Sequence, residues 1–187
     1  MNLTWGASTR AKANQSISGD GYAVIETDTS WLITVIDGLG GGEEAARPTA
    51  LAIETLKAHP LRPLKELIER CHSALHGTRG AVIGLLRLEK ENARASYVGV
   101  GNIGIHVVSK RLIKPISKNG ILGHRQLPTL LEMNYTFDLE DIFVLYSDGI
   151  STRMISDSSL GNPRGQDLTT LSDELLERYG KTIDDAT

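Results

Sequence analysis

Cysteine is almost absent from this chain of 187 residues, in which Cys71 is the only one. A single cysteine cannot form an internal disulfide, which argues against a disulfide-stabilised secreted protein. The first residues also lack the basic and apolar regions of a secretory signal peptide. We therefore expect a cytoplasmic protein.

A large excess of either charge and a long apolar run are missing as well. The formal net charge is −3, and this gives no basic surface for nucleic acid or an anionic membrane. No apolar run approaches the roughly 20 residues that span a bilayer. The length and the ordinary apolar fraction fit one globular domain, so we expect a soluble protein with no nucleic acid partner and no membrane partner.

Two apolar runs end in the same dipeptide. Residues 31–36 lead into Asp37-Gly38, and residues 142–147 lead into Asp148-Gly149. Such runs predict strands covered on both faces, with each Asp at the rim of a sheet. If the two rims meet, the paired carboxylates favour a hard divalent cation.

The first half of the chain predicts a hairpin followed by two helices. Residues 22–27 and 31–36 flank a polar turn, which indicates two antiparallel strands. Apolar residues at helical spacing then predict a helix over residues 43–59. A second helix follows Pro63, carries one apolar stripe that includes Cys71, and ends at Gly77.

The second half predicts more strands and one last helix. Residues 81–88, 94–100 and 103–108 have strand character and are interpreted as a meander. Residues 115–128 and 156–165 are predicted loops, the former beside the site, and a helix over residues 168–179 ends at Gly180. Helices inserted among antiparallel strand pairs favour a layered α+β sandwich of two mainly antiparallel sheets.

Four acidic positions occur in a recognisable order. They are Asp20 between two glycines, Asp37 within residues 35–42, Asp148 within residues 146–150, and Asp184 in the terminal Asp-Asp-Ala-Thr. This set resembles the type 2C metal-dependent protein serine/threonine phosphatases (PPM type). Residues 35–41, 69–72, 78–81 and 98–102 are similar to the small bacterial stressosome feedback phosphatases (RsbX type) within that family.

The resemblance implies a four-layer αββα sandwich with two divalent cations, Mn²⁺ or Mg²⁺, between its sheets. It implies that Asp37 bridges both cations, that the Gly38 carbonyl binds one of them, and that Asp148 and Asp184 hold the other. Asp20 is implied to bind directly or through a water. Catalysis would then depend on Asp37 and Asp148 through a metal-activated water that attacks phosphorus.

The chain departs from the wider family in three places. Leu39 stands where many members carry a histidine proposed to protonate the leaving group, so we expect slower and more selective catalysis. No arginine clearly matches their phosphate-binding one, and Arg10 is only a guess at it. The chain stops at Thr187, where the family continues into an apolar strand, so we interpret residues 1–187 as a single PPM-type domain with its final strand missing. Either the sequence is shortened, or Asp184 lies on a frayed end.

Simpler explanations compete for several of these residues. An isolated Asp-Gly is usually a turn, and Asp185 is an alternative ligand to Asp184. His72 and His76 lie four residues apart on a helix, but without a third ligand they make a weak zinc site. The three glycines 40–42 precede a helix without a Walker lysine, which disfavours nucleotide binding.

The sequence therefore predicts a protein serine/threonine phosphatase. By resemblance, its substrates are phosphorylated STAS-domain proteins of the bacterial stressosome. One alternative is a catalytically weak adaptor that binds the phosphorylated partner, and another is a small-molecule phosphohydrolase. We expect residues 115–128 to contact the partner and the protein to be a monomer, although the sequence leaves its oligomeric state open.

Overall fold

The computed structural model describes residues 1–161, 163 and 165–187, and contains two antiparallel sheets and three α-helices. Asn162 and Arg164, which belong to the predicted loop over residues 156–165, lie outside the described residues. In chain order, the elements are β1 (Asp20–Glu26), β2 (Ser30–Gly38), α1 (Glu43–Ala58), α2 (Leu64–Ala74), β3 (Ala81–Glu89), β4 (Arg94–Val100), β5 (Gly104–Val108), β6 (Glu132–Thr136), β7 (Ile142–Tyr146) and α3 (Leu168–Tyr179). Two short 3-10 helices, Thr152–Ser156 and Ser158–Gly161, precede α3.

The layers of sheets and helices are determined by the apolar faces through which these elements pack. One sheet has the order β1-β2-β3-β4-β6, and the other pairs β5 with β7. Helices α1 and α2 pack on the outer face of the larger sheet, around a core that includes Leu56 and Ile68. Its inner face meets the smaller sheet through Tyr97 and Phe143, and α3 covers the other side of the smaller sheet. The predicted αββα sandwich is confirmed, whereas a single domain over residues 1–187 stays a prediction.

The predicted hairpin and all three predicted helices are present. Strands β1 and β2 pair antiparallel in unbroken register, and β2 is mostly buried because β1 and β3 flank it. Helix α2 buries the predicted stripe, and Cys71 lies in the core. Helix α3 ends at Tyr179, directly before Gly180, as predicted.

The predicted meander is wrong at its third strand. Strands β3 and β4 form a hairpin, but β5 leaves the larger sheet after Gly101, whose φ of +92° permits the sharp turn, and pairs with β7 instead. The place beside β4 is taken by β6, which the sequence analysis did not predict. Alternating apolar residues indicate a strand but do not identify its neighbour.

Strand β7 is also less enclosed than predicted. Four of its five residues are half-buried, because its sheet has only two strands, so the prediction of burial on both faces holds for β2 and is wrong for β7. The predicted loop over residues 115–128 runs past the ends of β3 and β4, where Leu122 pairs with Ala81 and Lys118 with Val100. Among the helices of the described residues, none has the length and hydropathy needed to cross a membrane.

Candidate metal centre

Two of the predicted carboxylates lie directly opposite each other. Asp20 begins β1, Asp37 is the second-last residue of β2, and the two are paired in the antiparallel register. The Gly38 N–H donates to the Gly19 carbonyl at 3.1 Å and closes this end of the hairpin. The register of the β1–β2 pair therefore sets the distance between these carboxylates.

Helix α1 packs against the same strand end. A Cβ at Gly38 would lie 1.9 Å from the Ala45 carbonyl oxygen, so only glycine allows the helix to approach this closely. The Thr49 hydroxyl donates to the Gly19 carbonyl at 2.5 Å and links α1 to the start of β1. The position of Asp37 and Gly38 is thus defined by both the sheet and the helix.

Asp148 reaches the cleft from the smaller sheet. It follows β7, and its Oδ2 accepts a hydrogen bond of 2.6 Å from the Asn102 amide. The Lys181 ammonium donates to the Asp148 carbonyl at 2.5 Å. A Cβ at Gly149 would lie 1.9 Å from the Asp185 carbonyl oxygen, so this glycine lets the C-terminal segment pass close behind Asp148.

The terminal pair of aspartates divides into two roles. Asp185 is 3% exposed, and its two carboxylate oxygens accept the backbone N–H groups of Lys12 at 2.9 Å and Gly19 at 3.0 Å. Asp184 accepts only the neighbouring Asp185 N–H, at 3.0 Å, among the hydrogen bonds of the described residues. Asp185 thereby joins three chain segments, whereas the charge of Asp184 raises the pKa of both Asp37 and Asp148.

The C-terminal segment is not frayed, in contrast to the expectation for a missing strand. Ala186 pairs with Arg10 through hydrogen bonds of 2.8 and 2.9 Å, and Thr187 exchanges hydrogen bonds with Ser147. Asp184 therefore lies on a segment held on both sides. The Arg10 guanidinium donates to the Lys181 carbonyl at 3.3 Å, and a Cβ at Gly180 would lie 2.6 Å from it, which places it at the end of α3.

The electrostatics of the cleft favour bound cations. Burial raises the pKa of Asp20, and Asp37, Asp185 and Asp148 raise it further, against a hydrogen bond from Ser147. Burial and the charges of Asp148 and Asp184 likewise raise the pKa of Asp37. The Asp20 Oδ2 is buried and has no hydrogen-bond partner among the described residues. Crowded, desolvated carboxylates with an unsatisfied oxygen are a donor set that fits hard divalent cations.

The carboxylates of the cleft lie near one another but do not form a complete metal site. Across the described ranges, no three His, Cys, Asp or Glu side chains have the spacing of a formed metal site. Asp148 bonds to Asn102 and Asp185 to the backbone, so each has a partner of its own. The zinc alternative is also not formed, since His72 accepts the Gly123 N–H at 3.2 Å and the His76 Nδ1 lies 3.1 Å from the Gly123 carbonyl.

Three residues support the cleft in roles that were not predicted from the sequence, in which Asp185 was considered only as an alternative ligand to Asp184. Asn102 binds Asp148, Ser147 is fully buried between Asp20 and Thr187, and Asp185 joins the termini to β1. The one available signal was Ser147, a polar residue that closes an apolar run. The partners of Asn102 and Asp185 are distant in sequence, and no local pattern reports them.

The fold and the cleft define a class of protein. The chain matches the family of Stage II sporulation protein E (SpoIIE) over residues 27–186, and it belongs to that family. Solved structures with the same fold include the PP2C phosphatase domain of SpoIIE from Bacillus subtilis, which has a TM-score of 0.79 at 19% identity over 100% of this chain and 61% of that one.

Two particular relatives are more similar. The phosphoserine phosphatase RsbX of Bacillus subtilis (strain 168) is 26% identical over 179 residues, which cover 94% of this chain and 87% of RsbX. A crystal structure of RsbX with magnesium has a TM-score of 0.82 over 96% of this chain and 89% of that one. A structure described with the bacterial stressosome, as a modular system adapted to control secondary messenger signalling, is 30% identical with a TM-score of 0.87, over 97% and 94% of the two chains.

Proposed function

We propose that this protein is a metal-dependent protein serine/threonine phosphatase of the type 2C class that acts in the stressosome pathway. Its substrates would be phosphorylated STAS-domain proteins. Support comes from the SpoIIE family membership, from the similarity to the phosphoserine phosphatase RsbX, and from the likeness to a structure described with the stressosome. The cleft thus supports the proposed reaction, and the relatives support the proposed pathway.

The observation that carries the proposal is the meeting of carboxylates from separate parts of the fold. Asp20 and Asp37 face each other across β1 and β2, while Asp148 arrives from the smaller sheet and Asp184 from the C-terminal segment. Burial of so many like charges is unfavourable unless a positive charge offsets it. Bound cations would offset this charge, and the carboxylate cluster therefore supports a metal-dependent reaction.

Two cations, Mn²⁺ or Mg²⁺, would be held by Asp20, Asp37, the Gly38 carbonyl, Asp148 and Asp184. When bound, they lower the pKa of a shared water and offset negative charge on the phosphoryl oxygens. The protein's part is to position these oxygens. Asn102 orients Asp148, and Asp185 holds the segment that carries Asp184.

The residue after Gly38, next to the cleft, affects the expected rate of phosphate hydrolysis. Leu39 follows Gly38, and its N–H donates to the Gly80 carbonyl at 3.0 Å, so its backbone is fixed and its side chain offers no proton. The leaving alkoxide would take its proton from solvent, and this predicts slow turnover. Leu39 is the observation that favours the second candidate, an adaptor that binds the phosphorylated partner without turnover.

The test is dephosphorylation of a phosphorylated STAS protein with and without Mn²⁺. We expect release of phosphate that requires the metal and that Asp37→Asn lowers by more than about 100-fold, since a changed orienting residue alone costs 10–100-fold at metal sites. Asp28→Asn is the matched control, because Asp28 lies exposed in the β1–β2 turn.

Other outcomes would lead to different conclusions. Binding of the phosphorylated protein without release of phosphate would establish the adaptor. Equal rates on free phosphosugars and on the phosphoprotein would indicate a small-molecule phosphohydrolase. Loss of activity in Asp28→Asn as well would show that the assay reports general damage to the fold.

A further inference from the structure

A cationic side chain lies beside the carboxylate cleft but belongs to no part of the predicted site. Arg79 occupies the turn between α2 and β3. The next residue, Gly80, accepts the N–H of Leu39, so this turn is held against the segment that follows Asp37 and Gly38. The Arg79 side chain reaches over that segment, because a Cβ at Gly40 would lie 2.6 Å from its Nη1.

The charge of Arg79 is paired only at the surface. Its guanidinium contacts the Glu44 carboxylate in the first turn of α1, and the two side chains are 53% and 67% exposed. An ion pair this exposed is weak and exchanges readily with solvent or another anion. Arg79 is therefore held in position near the cleft and is available to a competing anion.

The other two cations near the cleft have structural partners. The Lys12 ammonium donates to the Gly40 carbonyl at 2.9 Å, and the Lys181 ammonium donates to the Asp148 carbonyl at 2.5 Å. Both lysines thus stabilise the backbone of the loops that carry the carboxylates. Of these three cations, Arg79 alone has a side-chain carboxylate as its partner among the described contacts.

We propose that Arg79 binds the phosphoryl group of the substrate, whose oxygens displace the Glu44 carboxylate from the guanidinium. This inference rests on the proposed phosphatase function. A phosphomonoester dianion that approaches four carboxylates is repelled, and a planar guanidinium offers it paired N–H donors. A separate open cavity of about 1250 Å³ lies next to this position and gives the phosphorylated segment room. It is lined by Leu39, Asn102 and His124 among others, and the His124 Nε2 lies 3.4 Å from the Arg79 carbonyl oxygen.

The test compares both members of the ion pair. Steady-state kinetics on p-nitrophenyl phosphate with Mn²⁺ would be measured for the wild type, Arg79→Ala and Glu44→Ala, together with ³¹P NMR titration of inorganic phosphate with Mg²⁺. We expect Arg79→Ala to lower kcat/KM and phosphate affinity by about tenfold or more, as for a hydrogen bond to a charged group. Glu44→Ala should leave both unchanged or improve them by a few fold, because it frees the guanidinium.

Arg94→Ala is the matched control, since Arg94 is exposed on β4 and donates to Asn134. Arg79→Lys keeps the charge but loses the paired donors, so an intermediate affinity would support the proposal if Arg79→Ala does not fold. Equal losses in Arg79→Ala and Glu44→Ala would overturn it, because the ion pair itself would then be the important feature. No loss in Arg79→Ala would overturn it too.

The experiment separates this inference from the proposed function. A wild-type protein without turnover on any phosphomonoester would refute the phosphatase function. The phosphate titration would still report whether Arg79 binds the anion.

Discussion

The two Asp-Gly strand ends are alike in sequence and different in structure. Asp37 lies within β2, a mostly buried strand of the larger sheet, and its partner Asp20 is set by strand register. Asp148 lies beyond the half-buried β7 and is positioned by Asn102 and Lys181. One half of the cleft is thus built by continuous pairing, whereas the other depends on contacts between distant segments. We expect the first half to be rigid and the second to respond to bound metal.

The largest expected effect comes from removing charge on each side. Asp37→Asn and Asp148→Asn should each lower activity by more than about 100-fold, because each removes an anionic oxygen that the proposed cations need. In a chelator at pH 8, however, Asp37→Asn should raise the free energy of unfolding by about 1–2 kcal/mol, because it relieves a buried, crowded carboxylate. Asp148→Asn should raise it less, since the charge of Asp148 is already stabilised by Lys181 and by the Asn102 hydrogen bond.

Urea denaturation of both variants in chelator checks this difference. Asp28→Asn serves again as the control with no expected change. If Asp37→Asn is less stable than the wild type without metal, the Asp37 carboxylate stabilises the wild-type fold. The contrast between the two sides of the cleft would then not hold.

The next largest effects are expected from substitutions at Gly38 and Gly149, which lie on the two sides of the cleft. Gly38→Ala should lower the free energy of unfolding by about 3 kcal/mol or more, because the new Cβ would meet the Ala45 carbonyl where β2 and α1 cannot separate. Gly149→Ala should cost about 1 kcal/mol, since the C-terminal segment can shift, but it should still impair activity by displacing Asp184. Denaturation together with phosphatase assays distinguishes the two. Equal losses of stability would contradict the difference in rigidity.

Removal of metal should loosen the Asp148 side of the cleft more than the Asp37 side. With metal at about 100 times its dissociation constant, binding stabilises the fold by about 2.7 kcal/mol. Chelation should therefore lower Tm by about 5–10 °C, and addition of Mn²⁺ should restore it. Hydrogen exchange should speed up at residues 184–187 and leave β2 protected. An unchanged Tm would count against the site itself.

The smallest effect concerns the region behind the smaller sheet. Asp157 accepts hydrogen bonds from Ser159 and Tyr179 and pairs with Arg178, and these contacts, led by Ser159, lower its pKa to about 2. Because the folded-state pKa lies below the usual 3.8, the contacts stabilise the fold above that pH and lose their effect as the pH falls through about 2.

Asp157→Asn should thus lower Tm by a few degrees at pH 6 and by less near pH 2.5. Thermal melts over this range test it, with Glu177→Gln on the exposed face of α3 as the control. A difference that does not depend on pH would mean that the charge of Asp157 contributes nothing to stability.

Much of the fold could be predicted because its signals are local. The β1–β2 hairpin and the three helices follow from turn formers and from apolar residues at regular spacing, and all were confirmed. Strand β6 also has a local signal, since Met133 and Tyr135 alternate with polar residues, but it is short and was missed. The departure of β5 to the other sheet has no local signal, because a strand's neighbour depends on the whole topology.

In the candidate site, too, some features follow from the sequence and others depend on the tertiary structure. The sequence alone determined that Asp37 and Asp148 lie at strand ends, because Asp-Gly after an apolar run places an acid there wherever that strand lies. Only the tertiary structure decided which of Asp184 and Asp185 faces the cleft, that Asn102 supports Asp148, and that Arg79 lies beside Gly40. These are contacts between segments far apart in the chain, and they exist only once two sheets and the C-terminal segment have packed together.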